Sequence, residues 1–400
     1  MKALFLTNEY PPNVYGGAGV HVEYLSRELA SLIDLEVRCF GDQQLDRGRL
    51  RVRGYEIPAG LIDEAPDKLR SPLGTLARNV AFSASDAQAE IVHCHTWYSH
   101  FGGVLGKLLY GQKLVLTTHS LEPLRPWKRE QLGRGYDLSS WIERTALTMA
   151  DAIVAVSEET KRDVLEHFDV PAERVQVIPN GIDLHEYQRN DDTSYLERYG
   201  VPRDLDYVLF VGRITRQKGI IHLLHAAEQL DPEVGIVLCA GAPDTKEIAD
   251  EMQALIDGLR ARRANVHWIA EMVPKQAAIQ LYSHAKVFCC PSIYEPFGII
   301  NLEAMACETP IVASAVGGIK EIIIPEKTGI LVPFEQQREA PFEPVDAATF
   351  ASDLAAGINR LMRDDELRAK MAKAGRARAE ERYGWGSIAK RTVELYKSLL

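Results

Sequence analysis

KALFLTNEYPPNVYGGAGVHVEYLSRELASLI (2–33) holds one complete strand–loop–helix unit. KALFLT is an apolar run of strand length, NEYPPNVY is a Pro/Asn-rich loop, and VHVEYLSRELASLI (20–33) carries apolar residues at helical spacing. The same succession recurs along the chain. Strand candidates in the first half are 2–7, LEVRCF (35–40), EIVHCH (90–95), KLVLTTH (113–119), AIVAVS (152–157) and VQVIP (175–179). A second series begins with YVLFVG (207–212) and continues through GIVLCAG (235–241), NVHWIA (265–270), KVFCCPS (286–292), PIVASA (310–315) and GILVP (329–333). Short apolar, β-branched runs alternating with helices define an α/β fold, with parallel sheets covered by helices on both faces.

At 400 residues the chain is too long for one core, because single domains close at ~100–200 residues. The stretch NGIDLHEYQRNDDTSYLERYGVPRDLDY (180–207) is polar, contains Gly and Pro, and separates the two strand series. This predicts two Rossmann-like domains, 1–185 and 186–384. Ligands are expected at the carboxyl ends of the strands, in an interdomain cleft. In EERYGWGSIAKRTVELYKSLL (380–400), Gly384 and Gly386 break two amphipathic helices, and residues 385–400 are expected to fold back onto the first domain.

The charge sum is 46 Lys+Arg against 56 Asp+Glu, net −10. That lacks the basic excess of a general nucleic-acid binder, so an acidic ligand must be held by a local pocket. No stretch approaches the ~18 uncharged apolar residues of a membrane span, and the N-terminal run reads as a buried strand, not a signal segment. The six cysteines have no C-x-x-C spacing and no His pair at zinc-ligand spacing. Buried thiols in a reducing cytoplasm are the expectation.

Five constellations carry chemistry. Gly16, Gly17 and Gly19 of GGAG open the helix 20–33, where free amides and the helix dipole favour an anion; a plain strand-to-helix turn is the alternative. The spacing is not G-x-G-x-x-G, so the dinucleotide fingerprint fails. In VGRITRQKG (211–219), Arg213 follows a strand and Lys218 stands at a helix start, a pair suited to a diphosphate. In CCPSIYEPFGIINLEAMA (289–306), Glu295 lies in a loop, the amides of Gly298, Ile299 and Ile300 open a helix, and Glu303 lies within it among apolar neighbours. A buried Glu of this kind requires a hydrogen-bonding partner; one carboxylate suits a sugar and the other a ribose hydroxyl. HCHTW (93–97) and TTHSLEP (117–123) place His93, His95 and His119 near strand ends, with His119 facing the cleft and one of His93 and His95 facing the core. Metal binding is the alternative for these histidines; with no carboxylate at ligand spacing, no metal is expected. Arg125, Trp127, Lys128, Arg129 and Arg134 form a basic loop after His119 that suits a phosphorylated or sugar acceptor. Asp204-Leu205-Asp206 matches a metal-holding D-x-D but precedes a strand, at the wrong end for a ligand crevice.

Together, VYGGAG (14–19), TTHS (117–120), IPNGID (178–183), VGRITRQKG and SIYEPFGIINLEAMA (292–306) resemble the retaining glycosyltransferases of the glycogen synthase and sucrose synthase superfamily, over nearly the whole chain. The resemblance implies the GT-B architecture, a nucleotide-sugar donor bound to the second domain, and no metal or other cofactor. It also implies roles: Arg213, Lys218 and the backbone of Gly17 for the leaving diphosphate, and Glu303 for the donor ribose. Glu295 would lie beside the transferred sugar and His119 near its anomeric carbon.

EYPPNVYGGAGVHV (9–22), HSLEPLRPWKREQLGRGY (119–136) and CAGAPDT (239–245) are most similar to the short actinobacterial-type enzymes, called glycogen synthases or assigned to maltose 1-phosphate synthesis. The partners thereby implied are ADP-glucose and either glucose 1-phosphate or an α-glucan, with no nucleic acid or membrane; a homodimer is compatible. Val14 and Thr96 stand where the bacterial glycogen synthases have Lys and Asp, which leaves Arg125, Lys128 and Arg129 to receive the phosphate of a small acceptor. A UDP- or GDP-sugar transferase of small or lipid acceptors is the nearer alternative. A non-hydrolysing sugar-nucleotide epimerase is the alternative from another class, and it leaves the basic loop unexplained.

Overall fold

The computed structural model describes residues 1–241, 243–338 and 342–400; Ala242, in the CAGAPDT stretch, lies outside them. The chain divides into two compact units, Met1–Gly181 with Trp385–Leu400, and Ile182–Gly384. The division falls at Gly181/Ile182, four residues before the 185 expected from the sequence. The reason is local: the Ile182 amide donates to the Tyr383 carbonyl at 2.8 Å and Ile182 pairs with Gly384, so both crossings close together.

In the first unit an eight-stranded sheet runs β3-β4-β2-β1-β5-β6-β7-β8. Its strands are β1 (Lys2–Leu6), β2 (Asp34–Phe40), β3 (Gln44–Arg47), β4 (Leu50–Tyr55), β5 (Ile91–His95), β6 (Lys113–Thr118), β7 (Ala152–Ala155) and β8 (Val175–Val177). All neighbours are parallel except β3 and β4, a hairpin closed at Gly48 with φ +59°. This hairpin was not expected. Only alternate residues such as Leu50 and Val52 are buried, while Arg51 faces solvent and β3 is polar, so no apolar run marks these edge strands. Apolar layers cover both faces: Phe5, Val37 and Val115 lie on one, Leu4, Val92 and Leu116 on the other.

The helix Trp385–Leu399 packs against the helix Gly17–Leu32. Gly386 lies inside this helix and only Gly384 occupies the break, a correction to the pair of breaks expected. Trp385 stacks on Tyr24 with ring centroids 5.9 Å apart and meets His21 edge-on at 5.4 Å. Gly181 makes room for it, since a Cβ there would stand 2.6 Å from the indole.

The second unit has a six-stranded parallel sheet ordered β11-β10-β9-β12-β13-β14. Its strands are β9 (Tyr207–Arg213), β10 (Gly235–Gly241), β11 (Val266–Ile269), β12 (Val287–Cys290), β13 (Ile311–Ser314) and β14 (Gly329–Val332). Strand order reverses between β9 and β12, and in the first unit between β1 and β5. These switch points are where a doubly wound sheet opens a crevice at the strands' carboxyl ends.

Candidate active site

In the second unit the carboxyl end of β9 leads into a short 3₁₀ turn, Arg216–Lys218, capped by the Thr215 hydroxyl. Gly219 ends it at φ +61° before the helix Ile220–Ala226, so Lys218 precedes the helix instead of starting it. Lys218 Nζ donates to Glu295 Oε2 at 2.6 Å, and the Ser292 hydroxyl approaches the same oxygen at 3.3 Å. The pair, 77 residues apart in sequence, joins the β9 and β12 ends, and both side chains are mostly buried. Arg213 is ion-paired to Asp244 at 3.0 Å, a partner the sequence did not reveal.

The helix Ile299–Ala306 starts at Gly298, whose φ is +100°. The amides of Ile299 and Ile300 have no carbonyl four residues earlier within the helix, which leaves its positive end open to an anion. Glu303 is 9% exposed and accepts hydrogen bonds from the Tyr187 and Tyr282 hydroxyls, both at 3.1 Å. Burial pushes its carboxyl above the usual carboxylate range, against the pull of the two tyrosines. Neither tyrosine had a sequence signal: Tyr187 stands in the polar stretch HEYQRNDD (185–192) and Tyr282 in an ordinary helical run.

The loop carrying Glu295 is clasped by glycines. A Cβ on Gly219 would stand 2.0 Å from the Pro291 carbonyl oxygen, and one on Gly317, at φ +48°, 1.9 Å from that of Glu295. The Gly318 amide donates to the Glu295 carbonyl at 3.0 Å. Gly317 and Gly318 were not singled out from sequence, because no ligand-binding spacing marks them.

In the first unit the glycine loop is partly occupied by the protein itself. The Glu9 carboxylate accepts from the amides of Tyr15 (2.7 Å) and Gly16 (2.8 Å). The amide of Gly16, expected to face an anionic ligand, therefore meets an internal carboxylate; Gly17 begins the helix Gly17–Leu32 and is exposed.

At the ends of β5 and β6, His95 and His119 face each other, Nδ1 to Nε2 at 3.2 Å. His93 and His95 stack at 4.5 Å and both are buried. His93 is bonded on both nitrogens, to Tyr396 (2.6 Å) and Thr117 (2.7 Å), and belongs to the core. His21 joins the other two: its Nδ1 lies 2.7 Å from Asn180 Oδ1, and its ring centroid 4.7 Å from that of His119. Burial lowers His21 to about 4 and puts His95 and His119 well below the usual imidazole value. Beside them Thr96 holds φ +68° and ψ 159°, backbone that non-glycine residues rarely adopt and that concentrates at functional sites.

The basic loop is anchored from below. The Glu122 amide donates to Glu143 Oε2 at 2.8 Å, the Ser139 hydroxyl to Glu122 Oε2 at 2.6 Å, and the Tyr136 hydroxyl to the Glu122 carbonyl at 2.5 Å. Arg125 Nη1 donates to Ser120 Oγ at 2.9 Å, while its buried Nε has no hydrogen-bond partner among the described residues. Lys128 donates to Gln131 at 2.6 Å, and Trp127 is half-buried beside it. Arg129 is paired with Asp137 at 2.5 Å at the surface and lies over Tyr136.

The buried Glu143 gives a pH signature. Burial and then the neighbouring Glu122 push its carboxyl well above 4.5. A raised folded-state pKa contributes stability that is fully present below the unfolded value and lost as pH rises through the folded one. Glu143→Gln cannot ionise and keeps an acceptor for the Glu122 amide. Its melting temperature should therefore gain on the wild type by a few degrees as pH rises from about 4.5 to about 8; a constant difference across that range would show that Glu143 does not titrate as described.

A family model described as Glycosyltransferase Family 4 matches residues 15–186, and one described as Glycosyl transferases group 1 matches residues 191–343. With two parallel-sheet α/β units of this order, the chain belongs to the GT-B glycosyltransferases. It is similar to the alpha-maltose-1-phosphate synthases of Mycolicibacterium smegmatis, at 42% identity, and Mycobacterium tuberculosis, at 40%, covering 100% of each chain in both cases. Among solved structures, sucrose-phosphate synthase from Thermosynechococcus elongatus has the same fold, with a TM-score of 0.78 at 24% identity, covering 100% of this chain and 99% of that one. As a glycosyltransferase the protein takes a nucleotide-sugar donor and a sugar acceptor. Among the described residues no helix is long and apolar enough to cross a membrane.

Proposed function

We propose that the protein transfers an α-glucosyl group from ADP-glucose to glucose 1-phosphate, with retention, forming α-maltose 1-phosphate. The observation that carries this reading is the full-length likeness, at 40–42% identity, to two proteins named for that product. Arg125, whose buried Nε has no hydrogen-bond partner among the described residues although Nη1 lies 3.9 Å from Glu122 Oε1, supports a phosphorylated acceptor, because a buried guanidinium N–H without an acceptor favours an anion.

Arg213 and Lys218 take the donor diphosphate together with Gly17 and the first amides of the helix Ile299–Ala306, and Glu303 takes the ribose. His119 contacts the glucosyl group. The acceptor hydroxyl attacks the anomeric carbon on the face from which ADP leaves; the bond to the diphosphate oxygen breaks, and that oxygen receives the acceptor's proton. Arg213 and Lys218 stabilise the charge that develops. Glu295 already accepts from Lys218 and Ser292 on one oxygen, which suits a carboxylate that positions Lys218 and sugar hydroxyls better than a free nucleophile. The six cysteines are free and buried, in keeping with a reducing cytoplasm.

The test is a matrix of ADP-, UDP- and GDP-glucose against glucose 1-phosphate and a maltodextrin, reading nucleoside diphosphate release and product anomer. ADP-glucose with glucose 1-phosphate should be fastest and give the α product; no release with either acceptor overturns the reading. Maltodextrin as the faster acceptor would move the function to glucan extension in glycogen synthesis. Arg125→Ala and Lys128→Ala should each raise KM for glucose 1-phosphate about 10–100-fold, the worth of a charge-assisted hydrogen bond. Unchanged KM values would remove the loop from the acceptor site.

A further inference from the structure

The second turn of the helix Gly17–Leu32 and the ends of β5 and β6 converge on His21, His95 and His119. One ligand-capable nitrogen from each lies within 4.8 Å of the other two. Two nitrogens on one tetrahedral zinc-class ion, each ~2.0–2.1 Å from the metal, stand roughly 3.3–3.4 Å apart. His95 Nδ1 and His119 Nε2, which share a hydrogen bond that an ion would replace, are 3.2 Å apart.

His21 is prepared in the same sense. The Asn180 oxygen accepts from its Nδ1, which leaves Nε2 with the lone pair, and this nitrogen is buried without a hydrogen-bond partner among the described residues. A metal-bound histidine almost always hands its other N–H to an oxygen acceptor, which fixes tautomer and ring orientation; Asn180 does this for His21. The neighbouring His93 is excluded as a ligand because Tyr396 and Thr117 occupy both its nitrogens. His119 is the least buried of the three and provides access.

We propose that His21, His95 and His119 form a binding site for one divalent ion of the zinc class, with a fourth position left to water. Imidazole triads suit zinc, copper and nickel and leave alkaline-earth ions unbound. The ion takes no part in the transfer. On the proposed contact between His119 and the glucosyl group it excludes that group, so it inhibits in competition with the donor; this consequence rests on that assignment, whereas the ion site does not.

The test uses the full chain, freed of metal by a chelator and titrated calorimetrically with zinc chloride. One ion per chain is expected, with binding lost in His21→Ala and His95→Ala and unchanged in His185→Ala, which removes an exposed imidazole elsewhere. Asn180→Ala, which keeps all three ligands, should weaken binding about 10–100-fold. X-ray absorption on the wild type with one equivalent of zinc needs no variant. Three imidazole nitrogens at ~2.0–2.1 Å are expected; a sulfur shell, or oxygens alone, overturns the site, as does zinc affinity that His21→Ala and His95→Ala leave intact. Binding as described without inhibition upholds the site and refutes the contact assigned to His119.

Discussion

Lys218→Met is expected to lower turnover by at least about 10²–10³-fold, the effect of removing one preorganised group that meets charge developing in a transition state. The argument has two parts that a single variant confounds. Lys218 faces the leaving diphosphate in the proposed chemistry, and it also neutralises Glu295, a carboxylate 6% exposed whose oxygen lies 2.6 Å from the ammonium. Removing one partner of a buried ion pair strands the other, at a cost of ~3–5 kcal/mol. Lys218→Met should therefore lose stability as well as activity. The double variant Lys218→Met with Glu295→Gln, measured against Glu295→Gln alone, separates the effects, because residues in contact show a coupling energy that a double-mutant cycle isolates. Stability should return in large part when the carboxylate becomes an amide, while nucleoside diphosphate release stays low. Recovery of turnover along with stability would reduce Lys218 to a structural counter-ion. Lys218→Arg retains charge on a planar fork that does not reproduce a point charge at this spacing, and it should recover less than a tenth of the activity.

What the sequence disclosed and what it withheld differ in range. The buried parallel strands were legible because each is a continuous apolar, β-branched run, as Tyr207–Arg213 and Gly235–Gly241 illustrate. The hairpin β3–β4 was not, since its buried positions alternate with arginines at an edge. Glu303 could be read as buried and in need of a partner from its apolar neighbours. That its partners are Tyr187, 116 residues away, and Tyr282 required the fold. Likewise Arg213, Lys218 and Glu295 were legible as charges at strand ends, but the pairing of Lys218 with Glu295 and of Arg213 with Asp244 follows from the adjacency of β9 to β12 and to β10, a topology no local pattern encodes. The Glu9 carboxylate shows the reverse error. A Gly-rich turn announced open amides, and a residue seven positions before Gly16 had already bonded its amide.

The glycines that clasp the Glu295 loop give the largest structural effect. Gly317→Ala places a methyl group 1.9 Å from the Glu295 carbonyl oxygen at a φ of +48°. The left-handed backbone costs ~1–2 kcal/mol for a residue with a Cβ. The overlap is with backbone, which cannot rotate away, and displacing it adds ~1–3 kcal/mol. Together these approach or exceed ~3 kcal/mol, which in a domain of this size lowers the melting temperature by roughly 6–12 °C. Two other glycines calibrate the two contributions. Gly200, at φ +68° with nothing within 4 Å of a built Cβ, isolates the backbone cost; Gly384, with neither restriction, should tolerate alanine. The expected order of destabilisation is Gly317→Ala, then Gly200→Ala, then Gly384→Ala. Activity should distinguish the first from the second more sharply still. Relief of the overlap moves the Glu295 carbonyl, and the ion pair with Lys218 hangs on the same loop, so Gly317→Ala should lose turnover even where it remains folded, whereas Gly200→Ala should keep the wild-type rate. Equal melting temperatures for Gly317→Ala and Gly200→Ala would mean that the loop yields without resistance and does not hold Glu295 in place.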